Sequence, residues 1–459
     1  MIKASVGLHI DHDLKFATYK ALEKAEAEIE ETPSVILYFT GTHSGEAKIY
    51  NQAMAIIREK YRKVPLVGCS GVGIANQDDY GLKGAGLMLI SGVKAKSHII
   101  KRFRIGTRYK TWKIVKECEK TNKNEKKTHS NTTNIFFPPG LGFPKFMVNI
   151  LNHRLEGFNP FFVLNHWVWR KFPTLSKITG ILVEISMDFA GIGISYSSSW
   201  PLFKQLYKKG IHFTGTFGAD PISMKKSYQF HNYKAYKDSL SYVSISSPQL
   251  QFTSRTDSGA EIIADKRFDI DSFLNGGFIP RIRGKWGSQA LLEMLDMDKT
   301  PDILEECTRR YFYYHPYRPL CVLDEKNNPN LYALAINPNL KHALITAPNQ
   351  VVKKLNIKDS GYYNAFLSDQ SAVTIENLID KTLSELITKD TAFSLFFDCG
   401  NRAMIVGDKF DQYTRKFANH LSNIPYLIII SGGEVNSQAF PIVNFSTISS
   451  VAKRVSTMI

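Results

Sequence analysis

A chain of 459 residues is too long for one hydrophobic core and points to two or three folding units of about 150 residues each. With 43% hydrophobic and 22% charged residues it is no disordered chain, and its formal charge of +16 is too unevenly spread to mark a nucleic-acid-binding protein by itself. Asp11, His12, Asp13 and Lys15 arrive before any apolar stretch of signal-peptide length, and Glu184 and Asp188 interrupt the most apolar later segment, Ile178 to Ile194. The expectation is a cytoplasmic protein with no membrane span. Five scattered cysteines form no C-x-x-C pair and twelve histidines form no H-E-x-x-H pair, so reduced thiols, no metal and no cofactor are expected.

In chain order, residues 13 to 30 read as an Ala- and Glu-rich helix and Val35 to Phe39 as a fully buried strand. Glu46 to Arg62 places Ile49, Ala53, Ile56 and Ile57 at helical spacing and ends ahead of Val64-Pro65, since proline disfavours helical backbone in the residue before it. Leu66 to Cys69 follows as a strand running into the turn Ser70-Gly71-Val72-Gly73, and Gly84 to Ile90 and Ala95 to Phe103 read as further strands. Between Lys101 and Thr128 eleven Lys or Arg stand against Glu117, Glu119 and Glu125, a local net charge of +8. This stretch reads as a solvated strand entering a flexible basic loop over about 116–133, with a polyanion-binding strip as the alternative. Asn134 to Pro138, Phe143 to Leu155 and Phe161 to Asn165 read as strand, helix and strand, and Ile211 to Thr214 leads into the small-residue turn Gly215 to Asp220. The aromatic run Phe158 to Phe172 reads as a core-capping segment, with a partner or membrane contact as the alternative. Gln249 to Thr256 and a helix over Ser288 to Met297 open the second half.

Near the C-terminus the opening order returns. Thr374 to Lys389 sets Ile375, Leu378, Ile379, Thr382, Leu386 and Ile387 along one helical face, and Ala392 to Phe397 is an apolar strand. A helix with the stripe Phe410, Tyr413, Phe417, Ala418 and Leu421 then leads through Ile424-Pro425 and the strand Tyr426 to Ile430 into Ser431-Gly432-Gly433-Glu434. A helix-strand-helix-strand unit ending in a Ser-Gly turn thus occurs twice, the pattern of a duplication. Apolar strands between amphipathic helices give an α/β fold class, with mixed α+β sheets covered by helices. Two related halves are expected, residues 1–244 and 245–459, with an insertion over about 145–205.

These residues resemble the FIST family of sensory modules. The N-terminal likeness rests on Val35 to Phe39, on Val64-Pro65-Leu66-Val67-Gly68-Cys69-Ser70, and on Gly215 through Asp220, which is similar to a glycine-rich family segment ending in Gly-Asp. The C-terminal likeness, to the FIST C domain, rests on Phe396 through Arg402, similar to a Cys-x-x-Arg segment, and on Pro425, Gly432-Gly433-Glu434 and Asn444. Ile74 stands where the family commonly carries an acidic residue, and residues 104 to 210 match poorly. The resemblance implies recognition of a small molecule, an amino acid or related metabolite, with the signal passed to a separate, unknown partner.

Both Ser-Gly turns could let backbone N–H groups converge on an anion. Arg402 could add a bidentate clamp for a carboxylate, and Glu434 could receive an ammonium group. The competing reading of these two residues is an ion pair tying two loops together. The expected ligand-binding set is Gly68, Cys69, Ser70, Gly71, Gly215, Asp220, Cys399, Arg402, Gly432, Gly433, Glu434 and Asn444. No complete catalytic signature is present: Gly68-Cys69-Ser70-Gly71-Val72 ends in valine and is no G-x-S-x-G elbow, and the P-loop pattern is missing. The favoured function is a small-ligand sensor that is not an enzyme. The alternatives are a cysteine-dependent enzyme acting on a small carboxylate through Cys69 or Cys399, and a polyanion-binding protein, though nucleic acid is not the expected partner.

Overall fold

The computed structural model describes residues 2–43, 46–103, 107–126, 130–140, 196–219, 227–274, 278–298, 313–314, 317–324, 327–337, 342–355, 363–437 and 440–455. The chain forms two compact units: Met1–Leu141, Ser199–Gly259 and Ala372–Ile459 make the first, and Gly142–Ser198 with Ala260–Ser371 the second. The first unit therefore takes strands from both sides of residue 245, where two halves are expected to meet. The two stretches of the second unit interrupt it after residue 141 and after residue 259. In the second unit Asn364–Gln370 pairs with Ala260–Arg267 and with Leu320–Leu323, which also pairs with Pro329–Tyr332. Another sheet joins Ile270–Leu274, Phe278–Ile282, His342–Ile345, Leu334–Asn337 and Tyr313–Tyr314, beside the helix Gly287–Met294.

Elements of the first unit fall into three consecutive segments. Segment one holds β1 (Lys3–His9), α1 (Leu14–Ala27), β2 (Val35–Thr40), α2 (Ala47–Tyr61), β3 (Leu66–Ser70), β4 (Gly73–Ala75), β5 (Tyr80–Gly81) and β6 (Ala85–Ser91). Segment two holds β7 (Lys94–Ile100), α3 (Thr107–Lys126), β8 (Asn131–Phe137), α4 (Trp200–Lys208), β9 (Phe213–Thr216), β10 (Tyr228–His231), β11 (Lys234–Lys237) and β12 (Leu240–Ser247). Segment three holds β13 (Leu250–Asp257), α5 (Ala372–Leu386), β14 (Thr391–Cys399), α6 (Gly400–Val406), α7 (Phe410–His420), β15 (Tyr426–Ser431), β16 (Glu434–Asn436), β17 (Ile442–Val443) and β18 (Thr447–Arg454).

Three six-stranded sheets repeat one order: β1-β6-β2-β3-β10-β11, β7-β12-β8-β9-β16-β17 and β13-β18-β14-β15-β4-β5. In each, the two strands flanking a helix are parallel, as β2 with β3, β8 with β9 and β14 with β15, and the neighbours on either side run antiparallel. Each segment also gives a hairpin to the sheet of another. β4–β5 joins segment three, β10–β11 joins segment one and β16–β17 joins segment two, so the exchange closes in a ring. The parallel strands β2 and β15 are apolar up to their last residue, as expected of strands covered on both faces. All six residues of β2 and of β15 are buried. Asp13 caps α1 by accepting from Lys15 N at 2.8 Å, and the helix buries Leu14, Ala17, Thr18, Ala21, Leu22 and Ala25 at helical spacing. Between the segments, Phe39 and Phe137 lie 5.4 Å apart and Phe137 and Phe397 6.5 Å apart, ring centre to ring centre.

The flexible basic loop expected over 116–133 is corrected by the structure. Residues up to Lys126 belong to α3, which buries Thr111, Ile114, Val115 and Cys118, and strand β8 begins at Asn131. Its three glutamates are engaged by lysines from outside the stretch: Lys96 meets Glu117 at 2.5 Å, Lys209 meets Glu119 at 3.0 Å and Lys94 meets Glu125 at 3.4 Å, so they do not offset the helix's own basic residues. Four apolar-face positions at helical spacing sufficed, and the lysines between them masked the pattern. The helix read over 410–421 is also preceded by a separate short helix, α6. The expected elements over 143–155 and 161–165, and the aromatic run 158–172, lie outside the described residues.

Candidate functional site

The turns that end β3, β9 and β15 meet at the centre of the three segments. Ser70 Oγ donates to Ala219 O at 3.1 Å, and Ala219 N returns a bond to Ser70 O at 2.8 Å. Thr216 Oγ1 bonds Ser431 Oγ and reaches Gly433 O at 3.0 Å, while Phe217 N donates to the same carbonyl at 2.9 Å. Val72 N donates to Ile430 O at 2.7 Å and closes the ring. The structure thus brings Ser70, Gly71, Gly432 and Gly433 together, but not as an anion nest. Gly71 N donates to Thr40 O, Gly218 N to Pro138 O and Gly432 N to Phe217 O, so these amides are committed to protein carbonyls. Steric need, not ligand approach, accounts for two of the expected glycines. A Cβ on Gly68 would lie 1.7 Å from Tyr38 O, and one on Gly215 would lie 2.0 Å from Phe136 O, because each sits directly beside its parallel partner strand.

Segment three differs from segment one in carrying buried charge at this level. Register pairs Phe39 with Cys69 but Asp398 with Ile430, so an aspartate occupies the place of a phenylalanine, one residue before the strand end. Asp398, Arg402 and Glu434 are all 0% exposed. Asp398 Oδ1 accepts from Thr447 Oγ1 at 2.7 Å and Oδ2 from Tyr413 at 2.8 Å, leaving its charge well solvated by protein hydroxyls. One turn along, Arg402 Nε stands 3.5 Å from Asp398 Oδ1, and Nη1 donates to Asp257 O at 2.7 Å. Glu434 opens β16 and accepts from Ser446 Oγ at 3.2 Å. Arg402 Nη2 and Glu434 Oε1 find no hydrogen-bond partner among the described residues. Buried groups of this kind are rare in folded proteins, since each forfeits its hydration without return. Both side chains are sealed from solvent, the ionic partner of Arg402 is Asp398, and no hydrogen bond joins Arg402 to Glu434.

Burial, reinforced by Asp398, holds the Glu434 carboxyl far above the ordinary carboxylate range, against smaller opposing effects of Ser446 and Arg402. A carboxyl with a raised folded-state pKa binds more protons folded than unfolded, so its contribution is full below the unfolded pKa of about 4.5 and is lost as pH rises towards the folded value. Glu434→Gln should remove that loss. Urea midpoints of the variant should therefore fall less than wild type between about pH 5 and about pH 8. His98 and His212, pushed down to about 4 by burial, act in the opposite sense, losing stability as pH falls through 6.5 towards 4, and are common to both proteins.

Cys399 ends β14 beside Glu434, and Cys69 ends one residue short of the β3 terminus; both are buried, and burial pushes both thiols up. Asn444 is buried just after β17, and Asp220 lies outside the described residues. Asp398, Tyr413, Thr447, Ser446 and Thr216 complete the cluster and were absent from the expected set. Asp398 could have been found from its spacing of four residues before Arg402, whereas Tyr413 and Thr447 look like ordinary core positions in sequence. Among the described residues no group of three or more His, Cys, Asp or Glu could hold a metal ion, and no helix is long and apolar enough to cross a membrane.

No curated protein matches the chain. The FIST N domain model matches residues 34–270, from just before β2 of segment one through all of segment two and β13. That match covers just over half of the sequence, and the chain belongs to the FIST family, a family of sensory and signal-transduction domains.

Proposed function

We propose that this protein is a cytoplasmic sensor that binds a small amino-acid-like metabolite at the Arg402–Asp398–Glu434 cluster and acts through a separate partner. The observation that carries the reading is that two fully buried ionisable side chains of segment three, Arg402 and Glu434, keep atoms without a hydrogen-bond partner among the described residues, Nε and Nη2 of the first and Oε1 of the second. A ligand carboxylate would complete the guanidinium fork, and a polar group of the ligand would meet Glu434, which stays neutral until a cation approaches it. The duplication read in the sequence extends, on this view, to three segments, of which the third was specialised for recognition. The likeness of residues 245–459 to the FIST C domain fits the same picture. Thiols as deeply buried as Cys69 and Cys399 lack the positive, accessible setting of a nucleophile, which weighs against the cysteine-enzyme alternative.

A thermal-shift screen of amino acids and their derivatives tests this. A ligand at a hundred times its dissociation constant stabilises by about 2.7 kcal/mol, a readily measured shift. A panel that moves neither wild type nor Glu434→Gln would remove the amino-acid reading.

A further inference from the structure

Away from this cluster, a cavity of about 360 Å³ opens between the end of α2 and the β10–β11 turn, lined by Arg58, Arg62, Lys63, Lys234 and Asn232. No carboxylate is among its lining residues. The ordinary reason for basic residues at such a place is compensation of a helix C-terminus, and Arg58 in the last turn of α2 serves that purpose. Arg62 is the C-cap of the helix and can share that role, whereas Lys63 follows the cap and Lys234 comes from another segment, so helix compensation does not explain the whole group. None of the four cations forms an ion pair among the described residues, whereas neighbouring Lys60 is paired with Glu26 at 2.6 Å. The frame is fixed by the backbone. Asn232 and Tyr233 adopt left-handed conformations, with φ of 46° and 66°. Asn232 N donates to Leu66 O at 2.8 Å, Tyr233 donates its hydroxyl to Val64 O at 2.7 Å, and Ala235 N donates to Asn51 Oδ1 at 2.7 Å.

We propose that this cavity binds a small anionic ligand that carries two phosphoryl groups, joined as a diphosphate or set separately on one head group. Four cations held around one concavity repel each other and attract a multiply charged anion, and two guanidinium groups supply the paired donors that phosphoryl oxygens accept. A single phosphate would leave half of that charge uncompensated. The volume suits a diphosphate with a small organic remainder, since ligand pockets start at about 300 Å³. The ligand source is either a soluble diphosphate or a phosphorylated lipid head group.

The test titrates inorganic pyrophosphate by calorimetry into wild type, Arg62→Gln/Lys63→Gln and Lys120→Gln/Lys123→Gln. The last variant removes equal charge from α3. In parallel, the three proteins are co-sedimented with phosphatidylcholine vesicles with and without a phosphatidylinositol bisphosphate. Saturable binding of either probe that weakens about tenfold or more in the cavity variant, and stays unchanged in the α3 variant, supports the site and identifies the source. Equal weakening in both variants would mean general attraction to a basic surface and overturn the proposal, as would no binding of either probe. Both variants change exposed residues, and matching thermal midpoints confirm that they fold.

Discussion

Arg402→Ala is expected to destabilise the protein by about 3–5 kcal/mol, because it strands the fully buried Asp398 carboxylate without its cation and leaves Asp257 O without its donor. Asp398 would keep two hydroxyl bonds, from Tyr413 and Thr447, but hydroxyls do not balance a charge. Arg402→Lys should cost much less, since it keeps the positive charge next to Asp398 while removing the planar fork. Chemical denaturation of the three proteins checks the order. A loss below about 1 kcal/mol for Arg402→Ala, the range of an exposed pair, would mean that water reaches this site.

Gly68→Ala should destabilise by about 3 kcal/mol or more, at the upper end of overpacking costs. The added Cβ would lie 1.7 Å from Tyr38 O, a backbone atom of the paired strand that cannot rotate away. Relief requires β2 and β3 to separate, which disturbs the turn at Ser70 and with it the ring that joins the three segments. By contrast, Gly210→Ala has no heavy atom within 4 Å of its added Cβ and suffers only the strain of φ +61°. A urea midpoint for Gly68→Ala no lower than that of Gly210→Ala would contradict the close strand approach.

Much of the architecture was legible because its strands are short, continuous and bounded by punctuation. Val64-Pro65 and Ile424-Pro425 mark the helix ends, and the strands of segments one and three follow within a residue or two. Segment two stayed hidden for two physical reasons. Its first helix carries an apolar face of four residues amid lysines, and the second unit interrupts it after residue 141. The exchanged hairpins were beyond reach, since pairs such as Ile74 with Ile429 join a hairpin of two- and three-residue strands to β15 across most of the chain, with no local pattern to announce them. At the site, Arg402 and Glu434 were readable as charged residues at apolar strand ends. Their burial was not, because it depends on β13, β18 and α7 closing over them. The glycine turns misled in one respect: glycine is equally suited to cradling an anion and to letting two backbones touch, and at Gly68 and Gly215 the second need prevails.

Calorimetric titration of the amino acid giving the largest thermal shift, into wild type and Arg402→Lys, decides whether the buried guanidinium recognises a ligand or merely braces the fold. Recognition predicts saturable binding to wild type that weakens about tenfold or more once the fork is lost, with the variant still folded. Equal affinity for both proteins would contradict it and leave Arg402 and Asp398 as a structural pair.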